Sequence, residues 1–407
     1  MSAATHTFSK GFSSNEGFDF DIRAVLGAAA SGASDPGEVL AAVDGIAPKN
    51  DRAWFEAWTR LGDRVAGIGS GCLERGHAAS GAAAWLRAST YYGVAVNAAS
   101  ALDSADELAH VFHQHREAWD RFVDATPLAE TSRVSIPYEN TSLPGYLFRP
   151  RGASGALPLL IGTNGSDGSL SSMWATCAFG ALQRGYAVLL YDGPGQQTML
   201  FDAGTTFRPD WEAVLTPVLD FALALDDTDP KRIAAYGISQ AGYWVTRALG
   251  FEHRFAAAIV DPGVVDVSTS WSDHLPKSML ELLDKGENDK FDRDMAFGLK
   301  LQKDAARTWA FRARPYGPRG YAETLHEVRR YRIDEDVAAQ ITTPLLITWP
   351  EREQFWPGQS EKLAALTPSV STLVPFTAAE GADFHCEPLA RALVDQRMFD
   401  WLDERLA

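Results

Sequence analysis

The stretch Ile233-Ala-Ala-Tyr-Gly-Ile-Ser-Gln-Ala-Gly-Tyr-Trp-Val-Thr-Arg-Ala-Leu249 constrains the fold more than any other part of the chain. Residues 233–236 form an apolar run that reads as a buried strand, Gly237 ends it, and residues 240–249 read as a helix. Between them stands Ser239, with Gly237 and Ala241 two residues to either side. Strand, sharp turn and helix in that order make the nucleophile elbow of a serine hydrolase. The flanking positions need small residues, because the turn holds the serine at strained backbone angles and brings strand and helix backbones together. The last position of the G-x-S-x-G pattern is Ala241 here, with Gly242 beside it. A small-Ser-small triplet is also an ordinary way to cap a helix. The reading of Ser239 as a nucleophile therefore rests on its context.

The elbow demands an acid and then a histidine, in that chain order. Residues 345–348 form a short apolar run suited to a central parallel strand, and the loop after it carries Glu351 and Glu353. Glu353, four residues before Pro357, is the expected acid, with Glu351 the runner-up and Asp261 or Asp266 the alternatives if the acid follows the preceding strand. A further strand is expected at 371–375, and the loop Glu380-Gly-Ala-Asp-Phe-His-Cys-Glu-Pro388 then offers His385 as the base. Of nine histidines, it alone has the right place in the order. His6 lies in the polar N-terminal tail, and His253 fits a helix C-terminus, where a cation is favoured. His77, His110, His113 and His115 read as surface or helix-face residues, and His274 and His326 lie in a lid. Cys386 beside His385 is a weaker nucleophile candidate than the elbow serine.

The oxyanion of an acyl transfer needs backbone N–H donors. One is expected from Gln240, directly after the nucleophile, and another from Gly165 or Ser166 in the loop 163–169 that follows a strand at 157–162. The same loop could be a plain Gly/Ser turn. Asp192-Gly-Pro-Gly195, after an apolar run at 187–191, lacks dinucleotide-loop spacing and reads as a strand-end turn.

Strands and helices alternate from a hairpin at 133–149 onward, which predicts an α/β-hydrolase fold on a mainly parallel sheet. Two helical regions flank that pattern. Trp54, Trp58, Leu61 and Val65 recur at helical spacing, and further amphipathic stretches cover 82–98 and 105–123. Residues 1–128 are therefore expected to form a helical cap domain and 129–407 the catalytic domain. The alternation breaks again at about 268–335, where helices at 279–283, 291–301 and 321–331 predict an inserted lid. Cap and lid should roof the site over an apolar pocket, with Trp271 and Trp356 as candidate substrate-binding residues. A roofed pocket suits a small molecule.

Composition narrows the partners. The 407 residues exceed a minimal catalytic domain of this type, roughly 250–300 residues. A net charge of −16 argues against nucleic acid and anionic membranes. No apolar run approaches ~18 residues and no signal-peptide pattern is seen at the N-terminus, so no membrane span is expected. Three scattered cysteines fit a reducing compartment. No metal or phosphate-loop motif is present, and no cofactor is expected. A homodimer is among the expected assemblies.

The layout resembles the bacterial and fungal α/β-hydrolases with an N-terminal helical cap. That group includes 2,6-dihydroxypseudooxynicotine hydrolase and the polyketide-shortening hydrolases of fungal melanin synthesis. The resemblance is carried by Leu86-Arg-Ala-Ser-Thr-Tyr-Tyr92, Tyr191-Asp-Gly-Pro-Gly-Gln196, Gly237-Ile-Ser-Gln-Ala-Gly242, Glu353-Gln-Phe-Trp-Pro-Gly-Gln359 and Gly381-Ala-Asp-Phe-His-Cys386. It implies a cytoplasmic serine hydrolase cleaving C–C bonds of acyl ketones or polyketides, or esters. The family acid is usually aspartate, whereas Glu353 stands here. Acyl transfer or lactone formation from the same acyl-enzyme is an alternative. A non-catalytic binding protein on the same fold is another, and the intact Ser239, Glu353 and His385 argue against it.

Overall fold

A computed structural model describes residues 11–407 except 101, 103 and 318. His6 lies outside the described residues. Among the described residues, five α-helices come before the sheet: α1 (Glu16–Gly27), α2 (Pro36–Val43), α3 (Asp51–Glu74), α4 (Ala78–Ser100) and α5 (Ala105–Ala125). Their starts follow from local capping. Asn15, Asp35, Asn50 and Ser104 each accept a hydrogen bond from a first-turn N–H, satisfying donors that a helix cannot pair internally. Helix α3 buries Trp54, Trp58, Leu61 and Val65 on one stripe. Gly62 and Gly69 let α4 approach it, since a Cβ at either would meet Tyr92 or Trp85 at 2.6 or 2.9 Å.

Eight strands form one sheet in the order β1-β2-β4-β3-β5-β6-β7-β8. They are β1 (Ala129–Tyr138), β2 (Thr141–Pro150), β3 (Leu157–Thr163), β4 (Ala187–Tyr191), β5 (Thr228–Ile238), β6 (Ala257–Asp261), β7 (Leu345–Pro350) and β8 (Ser371–Phe376). The β1–β2 hairpin is antiparallel and β2 runs antiparallel to β4; all other neighbours are parallel. Strands β4 and β6 are buried at every position, as expected where both sheet faces are covered. Helix α6 (Glu212–Leu223) precedes β5, and α7 (Ala241–Leu249) follows it.

The lid runs between β6 and β7. It contains α8 (Lys277–Asp284), α9 (Asn288–Leu301), α10 (Lys303–Ala313) and α11 (Tyr321–Val328). Two hydrophobic cores result. One joins the N-terminal helices to a sheet face through Trp58, Phe112, Trp119, Phe148, Leu160, Val188 and Ala234. The other joins the lid to the opposite face through Trp271, Phe291, Leu325, Tyr331, Ala235 and Ile347. Helix α12 (Gln359–Leu366) follows β7, and α13 (Arg391–Leu406) closes the chain. Among the described residues, no helix is long and apolar enough to cross a membrane.

Of the surface or helix-face histidines, His115 is fully buried on a face of α5, whereas His77, His110 and His113 are exposed. Its Nδ1 donates to the Ser89 carbonyl at 2.8 Å. Burial, opposed by that bond and reinforced by Arg116, pulls its pKa down to about 4, so it is neutral in the core.

Candidate active site

Strand β5 ends at Ile238, and Ser239 takes φ +56° before α7 begins. Few non-glycine residues occupy that left-handed region. The small neighbours are required by contact. A Cβ on Gly237 would meet the Ala241 carbonyl at 2.5 Å, and one on Gly242 would meet the Pro262 carbonyl at 2.0 Å. Gly165 stands against the serine, where a Cβ would lie 2.9 Å from that of Ser239. The Ser239 N–H donates to the Asp261 carbonyl at 2.6 Å, fixing the turn against β6.

His385 reaches Ser239 from the loop between β8 and α13. Its Nε2 lies 2.9 Å from Ser239 Oγ and its Nδ1 lies 2.8 Å from Glu353 Oε2. An ionised carboxylate only accepts, so Nδ1–H donates to Glu353 and Nε2 is left to accept from the serine hydroxyl. The other Glu353 oxygen accepts from the N–H groups of Phe355 and Trp356 at 2.8 and 3.1 Å. The acid and histidine loops are tied twice more. The His385 N–H donates to Gln354 at 2.7 Å, and Arg352 pairs with Asp383. The other carboxylates considered from sequence point elsewhere. Glu351 accepts from the Ala378 N–H, Asp266 from Ser268, and Asp261 from Tyr236, Thr348 and Arg391.

Gln240 sits at the N-terminus of α7, where backbone N–H groups have no helical partner. Its side-chain oxygen accepts from the Tyr316 hydroxyl at 3.3 Å. Of the two expected loop donors, the Gly165 N–H is engaged by Asn164 Oδ1 at 2.8 Å, and Ser166 Oγ donates to Asp167 at 3.2 Å. The loop is clamped by Gln196, whose amide donates to the carbonyls of Asn164 and Gly165 at 2.6 and 3.1 Å. Gln196 in turn accepts from Gly193 N–H at 2.9 Å. The Asp192–Gln196 turn thus supports the site, a role that its strand-end reading did not carry.

Aromatic rings wall the histidine. Phe355 lies 4.7 Å from its ring, Trp356 5.6 Å, and Phe20 of α1 6.3 Å. Trp271 stands farther out, edge-on to Tyr316 at 5.7 Å and beneath the Arg312 guanidinium at 4.4 Å. Cap and lid meet here, with Arg314 donating to Ser100 at 3.2 Å and Arg307 pairing with Asp51 at 2.6 Å.

Sequence reasoning passed over three charged groups at the site. Asp21 follows Phe20 on α1, Asp167 lies in the clamped loop, and Arg312 projects from α10. Burial first, then the Asp167 charge, pushes the Asp21 carboxyl up to about 7 against a hydrogen bond from Trp54. Asp167 is raised by burial, with Ser166, His385 and Arg312 opposing. Its surface is open to solvent although protein surrounds it at longer range. A cleft wall has that combination, and the surrounding protein governs the charge. Arg312 donates to the Ser270 carbonyl and hydroxyl at 3.1 and 2.8 Å. No hydrophobic periodicity marks such residues, so they had no signal beyond their proximity to the motifs.

Comparison with known proteins agrees with this architecture. Residues 178–297 match the prolyl oligopeptidase family. A hydrolase of Aspergillus aculeatus, acrC, is 29% identical over 95% of this chain and 96% of its own length. The α/β hydrolase xenA of Xenoacremonium sinensis is 31% identical over 69% of this chain and 66% of its own. The crystal structure of 2,6-dihydroxy-pseudo-oxynicotine hydrolase superposes with a TM-score of 0.71 at 19% identity, covering 94% of this chain and 95% of that one.

Proposed function

The chain is an α/β-hydrolase enzyme with an N-terminal helical cap, and we propose that it is a serine hydrolase with a Ser239–His385–Glu353 triad, cleaving a C–C or ester bond beside a carbonyl of a small molecule. The observation that carries the proposal is the unbroken hydrogen-bonded chain from Ser239 Oγ through His385 to Glu353. His385 takes the serine proton as Oγ attacks the carbonyl carbon, and Glu353 orients the imidazole and stabilises its cation. The backbone N–H of Gln240, and in the 165–166 turn that of Ser166 because Gly165 N–H is taken by Asn164, are the donors for the developing oxyanion, each worth roughly 3–4 kcal/mol. Water, deprotonated by His385, then hydrolyses the acyl-enzyme.

The leaving group divides the two chemistries. An alkoxide takes its proton from His385, whereas a carbanion leaves as an enolate and benefits from a nearby acid. Asp21, next to Phe20 on α1 and raised to about 7 by burial and the Asp167 charge, suits the second. A small substrate fits the convergence of cap, lid and sheet over Ser239.

The test is purified enzyme against p-nitrophenyl esters and β-diketones, alongside labelling with a serine-reactive phosphonate. We expect hydrolysis of at least one substrate class and a single adduct on Ser239. An adduct elsewhere, with activity surviving Ser239→Ala, overturns the proposal.

A further inference from the structure

Behind the proposed triad lies a charged cluster that takes no part in the steps above. Asp261, Glu387 and Arg391 are essentially without solvent contact. We propose that these residues are a positioning device, holding the His385 turn against the Ser239 turn; the inference rests on the triad reading above.

The connections are direct. One backbone oxygen, that of Asp261, accepts from the Ser239 N–H at 2.6 Å and from the Cys386 thiol at 3.3 Å. A single residue thus touches both turns. Its side chain is fixed on three sides: Tyr236 donates to one oxygen at 2.9 Å, Arg391 to the same oxygen at 3.0 Å, and Thr348 to the other at 3.0 Å. Arg391 also donates to the Cys386 carbonyl at 2.8 Å and to the Thr176 carbonyl at 2.8 Å. It therefore fastens β5, β6 and the helical run behind β3 to the histidine turn.

That turn needs fastening. Cys386 and Glu387 have φ of +58° and +42°, and Ser239 has +56°. Non-glycine residues persist there only when their surroundings over-determine them. A buried charge cluster is otherwise a poor way to stabilise a core, because desolvation opposes it.

Its charge balance is specific. Two carboxyls face one guanidinium, and Glu387 lies 3.8 Å from Arg391. Two buried carboxyls that share one guanidinium resist ionising together. Burial and then the Asp261 charge push Glu387 well above the usual range, and as an acid it can donate to Asp261. Burial opposes ionisation of Asp261 too, but Arg391, with hydrogen bonds from Glu387 and Tyr236, outweighs it. Tyr236, Cys386 and Cys177 stay neutral through burial. Asp395, on the same helix as Arg391, is raised to about 7 by burial, with Arg391 and Arg184 opposing and Asp261 adding. With Glu387 protonated, the Asp261–Arg391 pair is neutral.

The test compares near-isosteric variants of the full chain. Asp261→Asn strips the counter-charge from Arg391. It should lower kcat by roughly ten- to a hundredfold, the cost of a slightly misplaced reacting group, and slow phosphonate labelling of Ser239 equally. KM should stay within about threefold. Glu387→Gln mimics the protonated acid. It should keep kcat within about twofold. An Asp261→Asn protein that melts earlier but labels and turns over normally overturns the proposal. So does a Glu387→Gln protein as slow as Asp261→Asn. If Asp261→Asn does not fold, Tyr236→Phe deletes only one hydroxyl. It should still slow labelling by roughly threefold or more, and normal labelling overturns the proposal. Normal labelling of Ser239 in these variants leaves the triad reading standing, whereas absence of any adduct on Ser239 in wild type removes that reading itself.

Discussion

Ser239 combines a strained backbone with a hydroxyl 2.9 Å from an imidazole. Ordinary caps need no such combination. The Ser239→Ala protein should fold normally, because the alanine keeps the Cβ that packs on Gly165. Its turnover should fall by roughly a millionfold if the three groups act as a unit. Circular dichroism with a turnover assay checks both, and a loss of less than about tenfold counts against nucleophilic catalysis. Glu353→Gln is a subtler change. The amide can keep the Phe355 and Trp356 hydrogen bonds yet present its NH₂ to Nδ1, favouring the wrong tautomer. A kcat reduced by roughly ten-thousandfold with folding intact is the expected result, and near-normal activity in that variant points to another acid. These three positions were legible in the sequence because each sits at a fixed place after a strand: Ser239 after β5, Glu353 after β7 and His385 after β8. Arg391 and Gln196 were not. Their work is hydrogen bonding to backbone carbonyls of distant segments, and nothing in local periodicity encodes that.

At the scale of elements, helix α1 places Phe20 beside His385 and Asp21 against Asp167. Residues around 20 read as the polar start of a helical region, and no sequence pattern tied them to the histidine loop. Helix α10 was also missed, and for a physical reason: it buries none of its residues, so no apolar stripe announced it. The long helices α3 and α5 were legible because their stripes are continuous. Asp21 supplies a pH prediction. Its folded pKa is raised from 3.8 to about 7, so the folded state binds its proton more tightly than the unfolded chain. The associated stabilisation is complete below the unfolded pKa and is lost as pH rises through the folded value. Asp21→Asn removes that term. The melting temperature of the variant minus that of wild type should therefore increase from about pH 5 to about pH 8. A flat difference across that range shows that Asp21 titrates normally.

At the scale of the whole molecule, the cap is not an appendage. Trp119 and Phe122 of α5 pack on Tyr146, Phe148 and Trp174 at centroid distances of 4.8–5.9 Å. The Trp174 indole donates to the Ser31 carbonyl at 3.2 Å, and Arg116 reaches the buried Asp192 at 2.9 Å. Removing residues 1–128 would uncover those rings on the sheet face and strand the Asp192 charge without its arginine. Each uncovered aromatic forfeits roughly 1.5–3 kcal/mol of burial. The three of them, Tyr146, Phe148 and Trp174, together rival the lower part of the ~5–15 kcal/mol by which a domain is stable. A lone helical hairpin could not compensate, because the lid packs on the opposite face of the sheet. The truncated chain should therefore aggregate or unfold, and should lose Phe20 and Asp21 from the site. Size-exclusion chromatography and an ester assay on residues 129–407 decide the matter. A soluble, monodisperse and fully active fragment would make the cap an independent module, and the case for a roofed small-molecule site would fall with it.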